Sequence, residues 1–83
     1  MVLARAEVRW QDDIGTAHVS TAMLEDTSPN GACILVRQPI VPGTSVRIVR
    51  RQEDFTGIVR NCRNDGSGYL IGIRRDPSRA EDA

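Results

Sequence analysis

Two groups of residues in this chain have the types and spacing for binding chemistry. The segment Asp26-Thr27-Ser28-Pro29-Asn30-Gly31 lies between two apolar runs. Asp26 and Ser28 carry short oxygen side chains that can bond nearby backbone N–H groups or a ligand. Pro29 presets φ for a turn, and Asn30-Gly31 readily supplies positive φ. Upstream, Arg5 and Arg9 stand at an R-x-x-x-R spacing. A guanidinium is a planar fork that suits phosphates and purine edges and stacks on bases. The chemistry on offer is therefore recognition by charge and hydrogen bonds. Catalysis is not indicated, because the chain has no nucleophile beside a base motif, no phosphate loop and no carboxylate pair at a recognisable spacing.

The remaining chemically capable side chains are less specific. Arg60 and Arg63 either extend a basic rim or are solvated outward side chains. His18 has no companions at a metal-like spacing and reads as a surface residue. Trp10 reads as a core or edge anchor. Cys33 and Cys62 are the only cysteines. They are far apart, without a C-x-x-C or a His pair, so a zinc site is not expected. Both are expected to be reduced and to behave as small buried apolar residues.

The elements that must position these groups are strands. Ala4 to Trp10 alternates Ala6, Val8 and Trp10 against Arg5, Glu7 and Arg9, a period of two. Asp12 to Gly15 is a turn. Thr16 to Glu25 is rich in β-branched residues, with Val19, Thr21 and Met23 expected on one face. Ala32 to Arg37 is a short apolar run consistent with a strand buried on both sides. Pro39, Pro42 and Gly43 punctuate the next connection. Ser45 to Arg50 sets Val46 and Ile48 against Arg47 and Val49. A polar turn from Gln52 to Asp54 precedes a strand from Phe55 to Arg63, in which Gly57 suggests a bulge or tight bend. A hairpin loop from Asn64 to Gly68 leads to the last strand, where Tyr69, Ile71 and Ile73 oppose Leu70, Gly72 and Arg74. Residues 1–76 form the expected domain and 77–83 a loose polar tail.

Six short strands with turn signals at close intervals, and no amphipathic helix, imply an all-β, six-stranded antiparallel barrel. Closure hides the edges that a small sheet would offer for aggregation. Eighty-three residues make one small domain with a modest core. The net charge is zero, and all 11 basic residues are Arg. That balance argues against a protein that binds long nucleic acids by bulk charge. No apolar run approaches the ~20 residues of a membrane span, and no secretory signal pattern opens the chain, so a cytoplasmic protein is expected.

Asp26-x-Ser28-x-x-Gly31 together with Arg5-x-x-x-Arg9 resembles the two signatures of the PilZ family, RxxxR and [D/N]xSxxG. Further pieces follow in a similar order: Leu24, then Ile34 and Val36, Pro39-x-x-Pro42-Gly43-x-x-Val46, Gly57-x-Val59 and Tyr69-x-x-Gly72-Ile73. The resemblance covers roughly Ala4 to Asp76. It implies a small β-barrel that binds the second messenger cyclic di-GMP, without a further cofactor or metal. The implied ligand-binding residues are Arg5, Arg9, Asp26, Ser28 and Gly31. It also implies an adaptor whose surface changes on ligand binding and then regulates a partner protein. In the family the arginines lie on a segment before the first strand, whereas here Arg9 leads straight into Trp10. Arg5 and Arg9 are therefore either a ligand-gripping arm or outward side chains of the first strand. The alternative function is a PilZ-like interaction module that binds no nucleotide and meets a protein through an exposed strand or the barrel rim.

Overall fold

The computed structural model describes residues 4–51 and 53–76. The expected tail at 77–83 and position 52 of the polar turn lie outside the described residues. Six strands follow one another: β1 (Ala4–Gln11), β2 (Ala17–Thr27), β3 (Gly31–Val36), β4 (Ser45–Val49), β5 (Asp54–Asn64) and β6 (Tyr69–Arg75). All pairings are antiparallel, in the cyclic order β1-β2-β3-β6-β5-β4, with β4 returning to β1. The expected all-β, closed six-stranded barrel is the observed one.

Alternation places one side chain in two inside the barrel. The interior holds Ala6, Val8 and Trp10 of β1, Val46 and Ile48 of β4, and Ile71 and Ile73 of β6, as their patterns imply. On β2 the phase is the opposite of the expected one. Ala22 and Leu24 are buried, whereas Val19 is 61% exposed and Thr21 lies on the surface. The β-branched residues there sit on the outer face, so β-propensity and burial diverge. On β3 only one face is fully buried, by Ile34 and Val36, while Cys33 and Leu35 are half-exposed. A barrel strand has one inner and one outer face, and among the described residues no further strand or helix lies over the outer one.

Two register shifts bend the longest strands. One falls between Leu24 and Asp26 on β2, the other between Val59 and Asn61 on β5. The expected irregularity at Gly57 is thus displaced to Arg60. Gly57 faces inward and serves close approach: a Cβ there would lie 2.5 Å from the Arg74 carbonyl oxygen.

The β3–β4 connection crosses one end of the barrel. Its Ile40 is buried in the core, and Gly43 N–H donates to Val59 O at 2.8 Å. At the same end lie the β1–β2 hairpin and the β5–β6 loop. The turn at Ser28–Asn30, the β4–β5 turn and the described chain ends, Ala4 and Asp76, gather at the other.

Cys33 and Cys62 are both free thiols. Cys62 packs against the core, whereas Cys33 alternates with inward-facing Ala32 and Ile34 and so points outward. The two sulfurs lie on opposite faces of the wall.

Candidate functional site

The Asp26–Gly31 segment leaves β2, turns and enters β3. Ser28 N–H donates to Gly31 O at 2.8 Å. The Ser28 hydroxyl oxygen accepts from Asn30 N–H (3.3 Å) and Gly31 N–H (3.2 Å). This is the side-chain-to-backbone bonding that makes Ser a turn residue. Asp26 Oδ1 accepts from Thr27 N–H at 2.9 Å, which leaves Oδ2 available as an acceptor. The turn does not use positive φ: neither Asn30 nor Gly31 adopts it. Gly31 is required for another reason. A Cβ there would lie 2.7 Å from the Ile73 carbonyl oxygen, so glycine lets β3 close on β6.

A row of residues continues from Asp26 across three strands. Asp26 pairs with Cys33, Cys33 with Gly72, and Gly72 with Asn61. The two bulges stand at opposite ends of this row. A bulge puts two successive side chains on one face. Glu25 and Asp26 therefore both point outward on β2, and Arg60 and Asn61 both point outward on β5. Between them the floor is Cys33 and Gly72, two of the smallest residues available. The result is a trough of about 260 Å³, with the Asp26 carboxylate on one wall and a guanidinium and an amide on the other. Arg60 is exposed and forms no ion pair among the described residues. Burial, then the field of Glu25, pushes the Cys33 thiol above its ordinary 9.0, with Arg63 opposing.

The structure thus brings Asp26, Ser28 and Gly31 together and sets Arg60, Asn61, Cys33 and Gly72 beside them. Arg5 and Arg9 lie on the outer face of β1, within the strand and not before it. Arg5 pairs with Met23, three residues from Asp26, or roughly 10 Å along β2 at about 3.3 Å per residue. Arg9 pairs with Val19, seven residues away, or roughly 23 Å. Its guanidinium is engaged by Glu7. Arg60 is identifiable in the sequence only as one arm of a possible rim. The missed signal is a slip in the inward spacing of β5, which runs Phe55, Gly57, Val59 and then Cys62.

The family model of the PilZ domain matches residues 2–83. The chain belongs to the PilZ family. No curated protein matches it. The match spans the PilZ barrel and both walls of the trough, so the Asp-x-Ser-x-x-Gly turn occurs within the family's own fold. Among the described residues no cluster of His, Cys, Asp and Glu could hold a metal ion, and no helix is long and apolar enough to cross a membrane.

The far end of the PilZ barrel carries a larger cleft, about 1040 Å³, lined in part by Arg9, Trp10, Asp12, His18, Val19 and Val41. His18, expected at the surface, is part-buried there and engaged by two neighbours. Its ring stacks on Trp10 with centroids 5.1 Å apart, and Nε2 lies 2.9 Å from Asp12 Oδ2. Asp12 Oδ1 also accepts from Thr16 N–H at 2.8 Å and Ile14 N–H at 3.1 Å. The hydrogen bond with His18, then that with Thr16, holds the Asp12 carboxyl below its ordinary 3.8. A carboxyl lowered by folding adds stability above its unfolded value and loses it as pH falls through the folded one. The melting temperatures of wild type and Asp12→Asn should therefore differ at neutral pH and converge below about pH 4. A gap unchanged from neutral to acid would remove Asp12 as the source.

Proposed function

We propose that this PilZ domain is a cyclic di-GMP receptor whose occupied outer face engages a partner protein. The observation that carries the reading is the trough, where a carboxylate and a guanidinium face each other across a floor of Cys33 and Gly72. Guanine presents N–H donors on one edge and the O6/N7 acceptors on another. Asp26 suits the first, and Arg60 suits the second or a phosphate. A flat purine needs a floor without bulky side chains, which Gly72 and Cys33 supply. Ser28 and Gly31 hold the turn, and Arg5 is the nearer β1 cation for a second phosphate. Arg9, at roughly 23 Å along the strand, enters only as part of the β1 face that a ligand-bound partner would meet. With a net charge of zero, recognition rests on these local groups and not on bulk attraction. The activity is binding, and the partner is a protein.

Calorimetry and thiol mapping together test this. Saturable binding of cyclic di-GMP is expected below about 100 μM, or roughly −5.5 kcal/mol. Arg60→Ala and Asp26→Ala each remove a charge-assisted contact of about 1.5–3 kcal/mol, so affinity should fall roughly tenfold or more. Gly72→Ala adds a Cβ whose three nearest neighbours are atoms of the Asn61 side chain, the first at 2.7 Å. It should leave the fold intact and weaken binding by raising the floor. The ligand should slow alkylation of Cys33 and leave Cys62 unchanged, as read by mass spectrometry. No saturable binding at that level would sink the receptor reading and leave the protein-interaction module. Binding without protection of Cys33 would move the ligand elsewhere on the barrel.

A further inference from the structure

Arg75 ends β6 and is among the most enclosed charges of the described chain, with its side chain 17% exposed. Its guanidinium carbon lies 3.8 Å from the centroid of the Phe55 ring. Nη1 donates to Glu53 Oε2 at 2.7 Å, and Nη2 donates to Thr27 Oγ1 at 2.6 Å. Its backbone N–H donates to Asn30 O at 2.9 Å. One residue therefore grips the Asp26–Gly31 segment twice, by side chain at Thr27 and by main chain at Asn30. Glu53 is itself held, since Arg50 N–H donates to Glu53 O at 2.7 Å and Arg50 Nη1 reaches Oε1 at 3.4 Å.

The buried Nε of Arg75 has no hydrogen-bond partner among the described residues. An unsatisfied buried donor is costly. The side chain accepts that cost while both tips of its fork are engaged. A lysine, with one ammonium, cannot stack flat on Phe55 and span Thr27 and Glu53 together. Thr27 in turn donates its backbone N–H to Asp26 Oδ1. A contact path thus runs from Glu53 through Arg75 and Thr27 to the carboxylate of the trough.

We propose that Arg75 is a positioning residue that sets the orientation of the Asp26 carboxylate through Thr27 and Asn30 without touching the ligand. The proposal rests on the cyclic di-GMP reading for its effect on affinity, but its effect on the turn can be read without ligand.

The test uses the full chain with Thr27→Val, Thr27→Ser and Arg75→Lys. Amide hydrogen exchange by NMR reads the turn in the absence of ligand. Thr27→Val keeps the shape and removes the acceptor. Exchange at Ser28 and Gly31 should quicken about tenfold, the scale of one hydrogen bond to a charged group, while Ile34 and Ile71 stay protected. Cyclic di-GMP affinity should fall by about the same factor. Thr27→Ser, which keeps the hydroxyl, should restore both. Arg75→Lys should resemble Thr27→Val. Wild-type exchange at the turn in Thr27→Val would overturn the proposal. So would equal quickening throughout the barrel, which marks a loss of global stability, or a Thr27→Ser variant as impaired as Thr27→Val. If wild type binds no cyclic di-GMP, the receptor reading and the ligand half of the proposal fall, and the exchange data alone decide whether Arg75 holds the turn.

Discussion

Leu24→Ala should destabilise the protein by about 2–5 kcal/mol, the range for emptying a buried Leu site. Leu24 is 0% exposed and lies immediately before the β2 bulge. A domain of this length holds roughly 4–12 kcal/mol in total at about 0.05–0.15 kcal/mol per residue. A loss near 5 kcal/mol would unfold the domain at room temperature if its stability lies at the low end of that range, about 4 kcal/mol. At about 4–8 °C per kcal/mol, the melting point should drop by at least about 8 °C. Met23→Ala is the informative control, because Met23 stands on the other face of the same strand. It should cost no more than about 1 kcal/mol. Thermal melts of the two variants decide the phase of β2. Equal losses would mean that both faces are packed, and a larger loss at Met23 would mean that the strand is turned over.

Gly57→Ala is expected to be nearly as damaging although it adds only one methyl group. Gly57 pairs with Val46 on one side and Arg75 on the other. The new Cβ would lie 2.5 Å from the Arg74 carbonyl oxygen and 2.7 Å from the Ile73 Cγ2. The first obstacle is backbone and cannot rotate aside. Overpacking of this kind costs about 1–3 kcal/mol and occasionally more. The cost should appear as a lowered denaturation midpoint with an unchanged slope. Because β6 must shift at Ile73 and Arg74, the Thr27–Arg75 contact should loosen as well. A Gly57→Ala protein as stable as wild type would show that β5 and β6 are further apart than the structure has them.

Much of this architecture is legible in the sequence. β1, β4 and β6 declare their inner faces because each sets aliphatic or aromatic residues against mostly charged or small ones, with Val49 and Leu70 the exceptions. β2 does not. Its inward positions include the small Ala22, and its outward positions include Val19, so the larger hydrophobic marks the wrong face. The Asp-x-Ser-x-x-Gly turn is legible from local chemistry, since its bonds join residues at most three apart. The basic wall is not. Arg60 comes from β5, far along the chain, and lines the same trough as Asp26 only because β6 lies between β3 and β5. The two bulges that aim Asp26 and Arg60 leave only a change of spacing from two to three, at Val59 to Cys62 on β5. Arg5 and Arg9 illustrate the converse. Their spacing fits a binding motif, but on a strand residues four apart share the outer face of one straight element. Their Cα atoms stand about 13 Å apart at about 3.3 Å per residue, whereas on a loop they could lie closer.

The circular order of the strands also limits how another protein can take hold. Every described strand has two neighbours, although Ala17–Ala22 of β2 pair with β1 alone and leave one edge of that stretch outside the ladder. An incoming peptide could add a strand, as peptides do at open-edged domains, only along such a short one-sided stretch. Elsewhere a partner must read side chains projecting from the outer wall, or the loops at either mouth. Partner choice, in the proposed adaptor, would therefore be written in outward-facing residues such as Arg5, Arg74 and Val19. Swapping those residues should redirect it while the inner face is left alone.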